Sequence, residues 1–116
     1  MITFKKVKVC FLLIFIFINI FYVAPCFSLS LREDLFKNAL DLSSGGKFNL
    51  ALQEWNRYLD SYPDDAAGLS NRGNVKLIIG DVEGSIDDQN KAIILNPSEI
   101  DPYINRGIAE LSLIHI

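Results

Sequence analysis

Asn71-Arg72-Gly73 returns as Asn105-Arg106-Gly107 34 residues later, and Pro63 returns as Pro97 at the same interval. Two unrelated markers agree on one period. A 34-residue unit with Gly in its first half and Pro at its end has the spacing of a stacked helix hairpin, in which each unit buries its apolar face only against its neighbours. The spacing predicts an all-α solenoid, a binding scaffold rather than an active-site fold.

Working outward, the first unit reads as helices over about residues 31–44 and 48–61, with Gly45-Gly46 between them. Leu31, Leu35, Ala39 and Leu42 fall at three- and four-residue steps, as do Phe48, Ala51, Leu52, Trp55 and Leu59. Ser30 and Glu33 have the spacing of a capping box. The second unit reads as helices over 66–79 and 82–95, separated by Gly80-Asp81. Leu69, Gly73 and Leu77 share one face, opposed by Val82, Ser85, Ile86, Gln89, Ala92 and Ile93. Asp64, Asp81 and Ser98 are the expected N-caps, with Asp65, Glu83, Glu99 and Asp101 in first turns, which accounts for much of the acidity. A third unit begins near Glu99 and contributes one helix, over about residues 100–110.

With these residues in place, the chain resembles the tetratricopeptide repeat family. Two full repeats, 32–65 and 66–99, fit the family pattern, and a partial third follows over 100–110. Leu35, Ala39, Leu42, Ala51, Trp55 and Pro63 match in the first; Leu69, Gly73, Ser85, Ala92 and Pro97 match in the second. Asn38 and Tyr58 depart from it, as do the polar Arg72, Lys76 and Gln89. The Asn-Arg-Gly version of the motif looks, more narrowly, like exported repeat proteins of cyanobacteria and chloroplasts, which implies a periplasmic or thylakoid-lumen destination.

The resemblance implies a concave groove lined by the first helices, receiving a peptide or a partner protein's helix. Its positions here are Glu33, Phe36, Leu40, Ser43 and Ser44, then Ala67, Ser70, Asn74, Leu77 and Ile78, then Asp101, Ile104 and Ile108. Chaperone-binding relatives hold a C-terminal carboxylate with lysines and asparagines; Asn74 fits, but Ser70 stands where a lysine is wanted, so that clamp is not expected.

The first thirty residues differ in composition from the rest. Lys5, Lys6 and Lys8 precede an uncharged apolar run from Val9 to Ala24, followed by Pro25-Cys26-Phe27-Ser28. This is the layout of a secretory signal peptide over residues 1–28, with cleavage expected after Ser28 or Ser30. The run is shorter than the roughly 20 residues a spanning helix usually needs, which favours cleavage over an uncleaved anchor. Val23-Ala24-Pro25-Cys26 has the outline of a bacterial lipoprotein site, but Pro25 occupies a small-residue position and argues against a lipid anchor. Cleaved or anchored, basic residues ahead of the apolar run direct the repeats, from Leu29 onward, out of the cytoplasm.

Cys10 and Cys26 are the only cysteines and leave with the signal, so no disulfide, thiolate nucleophile or Cys-based metal site is expected. Without Lys5, Lys6 and Lys8, eight basic side chains face 14 acidic ones, a net charge of −6. Neither nucleic acid nor an anionic lipid surface is an expected partner.

Leu111-Ser112-Leu113-Ile114-His115-Ile116 reads as the translation of CTGTCTCTTATACACATCT, a transposon end used in sequencing-library chemistry. Gly46 and Gly80 place the next turn at Ile114, a β-branched residue where a turn residue belongs. Native sequence is therefore expected to stop near Glu110, which removes His115, the only histidine.

Ala39 and Gly73 are expected to meet Ala51 and Ser85 where paired helices cross, Trp55 to fill the core, and Ala92, Arg106, Gly107 and the two prolines to serve the repeat frame. Arg72 lies beside Gly73 and points partly inward, where a guanidinium needs a partner. Asp88 is the best-placed carboxylate and Asp87 the alternate. Asp87-Asp88 and Asp64-Asp65 are not catalytic dyads, because neighbours on a helix diverge by about 100°. No phosphate loop, dinucleotide fingerprint or metal-ligand spacing appears. The reading is a non-enzymatic interaction scaffold without cofactor or metal; the alternative is an assembly subunit that stacks on itself or on a membrane complex.

Overall fold

The structure, a computed structural model, describes residues 4–114, apart from the side chains of residues 21–24. His115, Ile116 and the side chains of Val23 and Ala24 lie outside the described residues. Among the described residues five helices follow one another: α1 (Phe4–Ser44), α2 (Phe48–Ser61), α3 (Ala66–Ile79), α4 (Val82–Leu95) and α5 (Asp101–Ile114). The chain forms two compact units, Met1–Glu33 and Asp34–Ile116.

Within the first unit the α1 backbone passes through Pro25, which has no N–H to give the helix ladder. The Ser28 hydroxyl donates to the Pro25 carbonyl at 3.0 Å, and Asn19 Nδ2 donates to the Phe15 carbonyl at 2.7 Å. Ser30 is interior to α1, so the capping box expected with Glu33 does not form. Nothing between Phe27 and Leu31 interrupts the ladder. The most apolar 18-residue window has a mean hydropathy of 2.5 and none of it is buried. Length therefore does not separate signal from anchor: the apolar run sits inside a helix that extends beyond both its ends.

In the second unit the repeat is visible in how helices stop. Gly46, at φ 74°, donates to the Ser43 carbonyl while Lys47 N–H reaches Leu42 at 3.0 Å. Gly80, at φ 96°, repeats this with bonds to Leu77 and from Asp81 to Lys76. A left-handed residue there satisfies the last carbonyls, and only glycine takes that conformation freely. α5 runs past the expected end at Glu110 as far as Ile114, because Leu111-Ser112-Leu113-Ile114 contains no breaker. At the starts, Asp65 and Asp81 accept from Gly68 and Gly84 N–H, each at 3.0 Å. Asp64 and Ser98 do not cap. Asp64 falls in the turn after Pro63, one residue too early, and the Ser98 hydroxyl is spent on Asn96 Oδ1 at 2.8 Å.

The core is built from Ala39, Ala51, Trp55, Tyr58, Leu59, Leu69, Val75 and Ala92. Phe36 and Trp55 meet edge to face with centroids 5.0 Å apart, and Phe36 meets Tyr58 at 5.3 Å. Edge-to-face rings add about 0.5–1.5 kcal/mol beyond their buried area. The small residues let backbones close in: a Cβ on Gly68 would lie 2.9 Å from the Tyr58 ring, and one on Gly73 2.6 Å from Gln89 Nε2 and 3.2 Å from the Ser85 carbonyl. Pro63 and Pro97 lie in the exposed links between hairpins.

Candidate functional site

The first helices of the second and third repeats, α3 and α5, pack against each other and against α4. Their open side carries Ile78, Ile104 and Ile108, exposed by 57%, 54% and 50%. Leu40 and Ser44 are exposed on α1, Ala67 and Asp101 lie at the exposed starts of α3 and α5, and Asn74 and Leu77 are half-buried. Three expected groove residues are less open: Ser70 is buried, and Phe36 and Ser43 are half-buried. Phe36 is held in the aromatic cluster. Ser43 accepts the Trp55 indole N–H at 2.9 Å and donates to the Ala39 carbonyl at 2.9 Å. Ser70 is buried because α5 packs over it: its hydroxyl accepts from Asn105 Nδ2 at 3.3 Å, and its carbonyl accepts from Gln89 Nε2 at 3.0 Å. What remains open is an apolar strip edged by small polar groups.

Between α3 and α4 lies a charge cluster around one buried carboxylate. Asp88, 1% exposed, accepts from Arg72 Nε at 2.8 Å and Nη2 at 2.7 Å, and pairs with Lys76 Nζ at 2.9 Å. Burial alone would raise the Asp88 carboxyl; hydrogen bonds and charge from Arg72 and Lys76 outweigh it and hold the group below its ordinary value. Asp87 points to solvent and takes no part. The geometry is structural: both Asp88 oxygens are committed to cations and the group is 1% exposed.

Sequence reasoning missed the contacts that tie one repeat to the next. Arg72 Nη1 donates to Asn56 at 3.0 Å, and Arg106 Nη1 donates to Asn90 at 3.0 Å. Asn56 and Asn90 are themselves 34 apart, so the period held a signal for this pairing. Lys76 as a second cation on Asp88 and Tyr58 as a buried donor to Asp65 were also unread; both look like departures from an apolar pattern until their partners are placed. Gly107, expected at a helix crossing, has no atom within 4 Å of a Cβ added to it, since no described helix packs on that side of α5.

No protein-family profile matches the chain. Solved structures do. The TPR2AB domain of yeast Sti1, in its Hsp90-peptide complex, superposes with a TM-score of 0.68 at 23% identity, covering 71% of this chain and 32% of that one. The fold is that of a tetratricopeptide-repeat domain. The first such domain of Spaghetti (RPAP3), bound to the HSP90 peptide SRMEEVD, gives 0.68 at 23% identity over 71% of this chain and 65% of its own. The Arabidopsis OM64 domain gives 0.69 at 20% identity, over 72% and 69%. The chain therefore spans between about a third and just over two thirds of these tetratricopeptide-repeat structures.

Proposed function

We propose that the protein is a non-enzymatic interaction scaffold that receives a peptide or a partner's helix on the open side of its first helices. The observation that carries this reading is the exposure of Ile78, Ile104 and Ile108 on one side of α3 and α5, while the polar residues beneath them are bonded to one another. Apolar residues held open on packed helices provide binding area at a reduced ordering cost. Proteins of the same fold binding HSP90 and HSP70 peptides support the same class of function. An acidic C-terminal peptide is a poor fit here, because Ser70 offers neither charge nor exposure.

The repeats act outside the cytoplasm in this reading, in a periplasm or thylakoid lumen. Its support is Lys5, Lys6 and Lys8 ahead of the apolar part of α1. An assembly subunit stacking on its own copies is the second reading, favoured by the exposure of Ile100 at 69%; sedimentation of the purified protein separates it from a monomeric adaptor.

A photo-crosslinking residue placed at Ile78 or Ile108, in cells, tests the groove directly. The expected result is one discrete adduct, lost on Ile104→Lys and absent when the crosslinker sits at exposed Asp87 on α4. Equal adducts from Asp87, or adducts indifferent to Ile104→Lys, would remove the open side as the recognition surface.

A further inference from the structure

The first and second hairpins are closed by different chemistry. The buried residues of α2 are Ala51, Trp55, Tyr58 and Leu59, all in the apolar core; those of α4 are Ser85, Asp88, Gln89 and Ala92. Along the 34-residue period, Phe36 becomes Ser70, Leu42 becomes Lys76, Ala51 becomes Ser85 and Trp55 becomes Gln89. The aromatic cluster that closes the first hairpin thus has a polar counterpart between α3 and α4.

This substitution divides the ties that α3 makes. Toward α2 they are apolar: Leu69 is buried, and a Cβ on Gly68 would meet the Tyr58 ring at 2.9 Å and Leu59 at 3.2 Å. Toward α4 and α5 they are mainly polar. Arg72 and Lys76 reach Asp88, Gln89 Nε2 donates to the Ser70 carbonyl, and Asn105 Nδ2 donates to the Ser70 hydroxyl. Arg106 ties α5 to Asn90 of α4 at 3.0 Å. Ser85 Oγ and Gln89 Oε1 are buried and have no hydrogen-bond partner among the described residues. Apolar surfaces gain nothing from water when they part, whereas polar groups regain water, and an orphaned atom acquires a partner it lacked. Local opening follows the least costly seam, which here runs between α3 and α4.

We propose that this seam is a hinge: α4 and α5 move together against α2, α3 and the part of α1 from Asp34, with Arg72, Lys76 and Asp88 as the latch. The pivot is Gly80-Asp81, the link between α3 and α4, where Gly80 sits at φ 96°. Ile78 rides on one body, and Ile104 and Ile108 on the other. Opening therefore changes their spacing and adapts the open strip to occupants of different width. That consequence rests on the open side being the binding surface; the hinge itself does not.

Double electron–electron resonance on the full chain tests it, in lipid nanodiscs with one chain per disc and no ligand. Cys10→Ser and Cys26→Ser leave only introduced thiols to carry spin labels. Labels at Leu50→Cys and Lys91→Cys, exposed on α2 and α4, span the seam. Leu50→Cys with Ile79→Cys, and Lys91→Cys with Ile108→Cys, lie within the two bodies and serve as references. Two distance populations are expected across the seam and one for each reference pair. Asp88→Asn should enlarge the longer-distance population by about threefold or more, since the charge-assisted bonds of the latch are lost. Ser85→Ala with Gln89→Met makes the seam apolar and should leave only the shorter distance. Circular dichroism checks that each variant keeps its helix content, and the unsubstituted seam is measured against its references in any case. A seam pair as narrow as the references, a population unchanged by Asp88→Asn, or a longer distance that persists with Ser85→Ala and Gln89→Met would each overturn the proposal. Crosslinking from Ile78 or Ile108 is read separately, so failure of the groove leaves the hinge result standing.

Discussion

Arg72→Met is the most informative single perturbation of the repeat domain. It removes two short bonds to Asp88 and the tie to Asn56, while Lys76 stays 2.9 Å from the carboxylate. Breaking a buried ion pair typically costs about 3–5 kcal/mol, whereas an exposed one is worth about 1 or less. Asp88 is 1% exposed but Arg72 and Lys76 are 17% and 18% exposed, and Lys76 still neutralises the stranded carboxylate. The expected loss is therefore intermediate, about 2–3 kcal/mol. Asp88→Asn leaves two cations facing each other and should cost at least as much. Urea unfolding of both single variants and the double variant measures the coupling, read by Trp55 fluorescence and far-UV circular dichroism together. Trp55 is the only tryptophan and is fully buried. The double variant should be less destabilised than the sum of the singles by about 1–3 kcal/mol. Additive losses would refute the pairing.

The two Asn-Arg-Gly glycines should respond in opposite directions to alanine. Gly73→Ala forces Gln89 off the Ser70 carbonyl and should destabilise by about 1–3 kcal/mol, whereas Gly107→Ala meets open space and should stabilise α5 by up to about 1 kcal/mol through helix propensity; thermal melts check both. Asp88 also makes stability acid-sensitive. Its folded-state value is depressed, so its contribution is whole above the ordinary 3.8 and is lost as pH falls through and below that value; Asp88→Asn should flatten this part of a stability–pH profile. N-terminal sequencing of protein from a detergent-free extract should read from Leu29 or Leu31, and an intact Met1 found only in the membrane fraction would contradict cleavage.

The sequence by itself determined the period, and with it the hairpins. α2, α3 and α4 could be bounded from residues alone because their stops are local chemistry: Gly80, at φ 96°, after α3, and prolines two residues past the ends of α2 and α4. The Arg72–Asp88 contact was also legible, since a guanidinium beside a close-crossing glycine has few places to go. Only the tertiary structure decided how far each expected groove position is covered. Ser70 reads as a groove hydroxyl and Phe36 as a groove ring until α5 covers one and Trp55 and Tyr58 surround the other. The start of α1 was misread for a related reason: a capping box is a local preference, and it yields wherever the helix ladder continues through it. Helix boundaries follow from residues a few positions apart, whereas burial on a helix face depends on elements 16 to 35 residues away, whose packing no local pattern records.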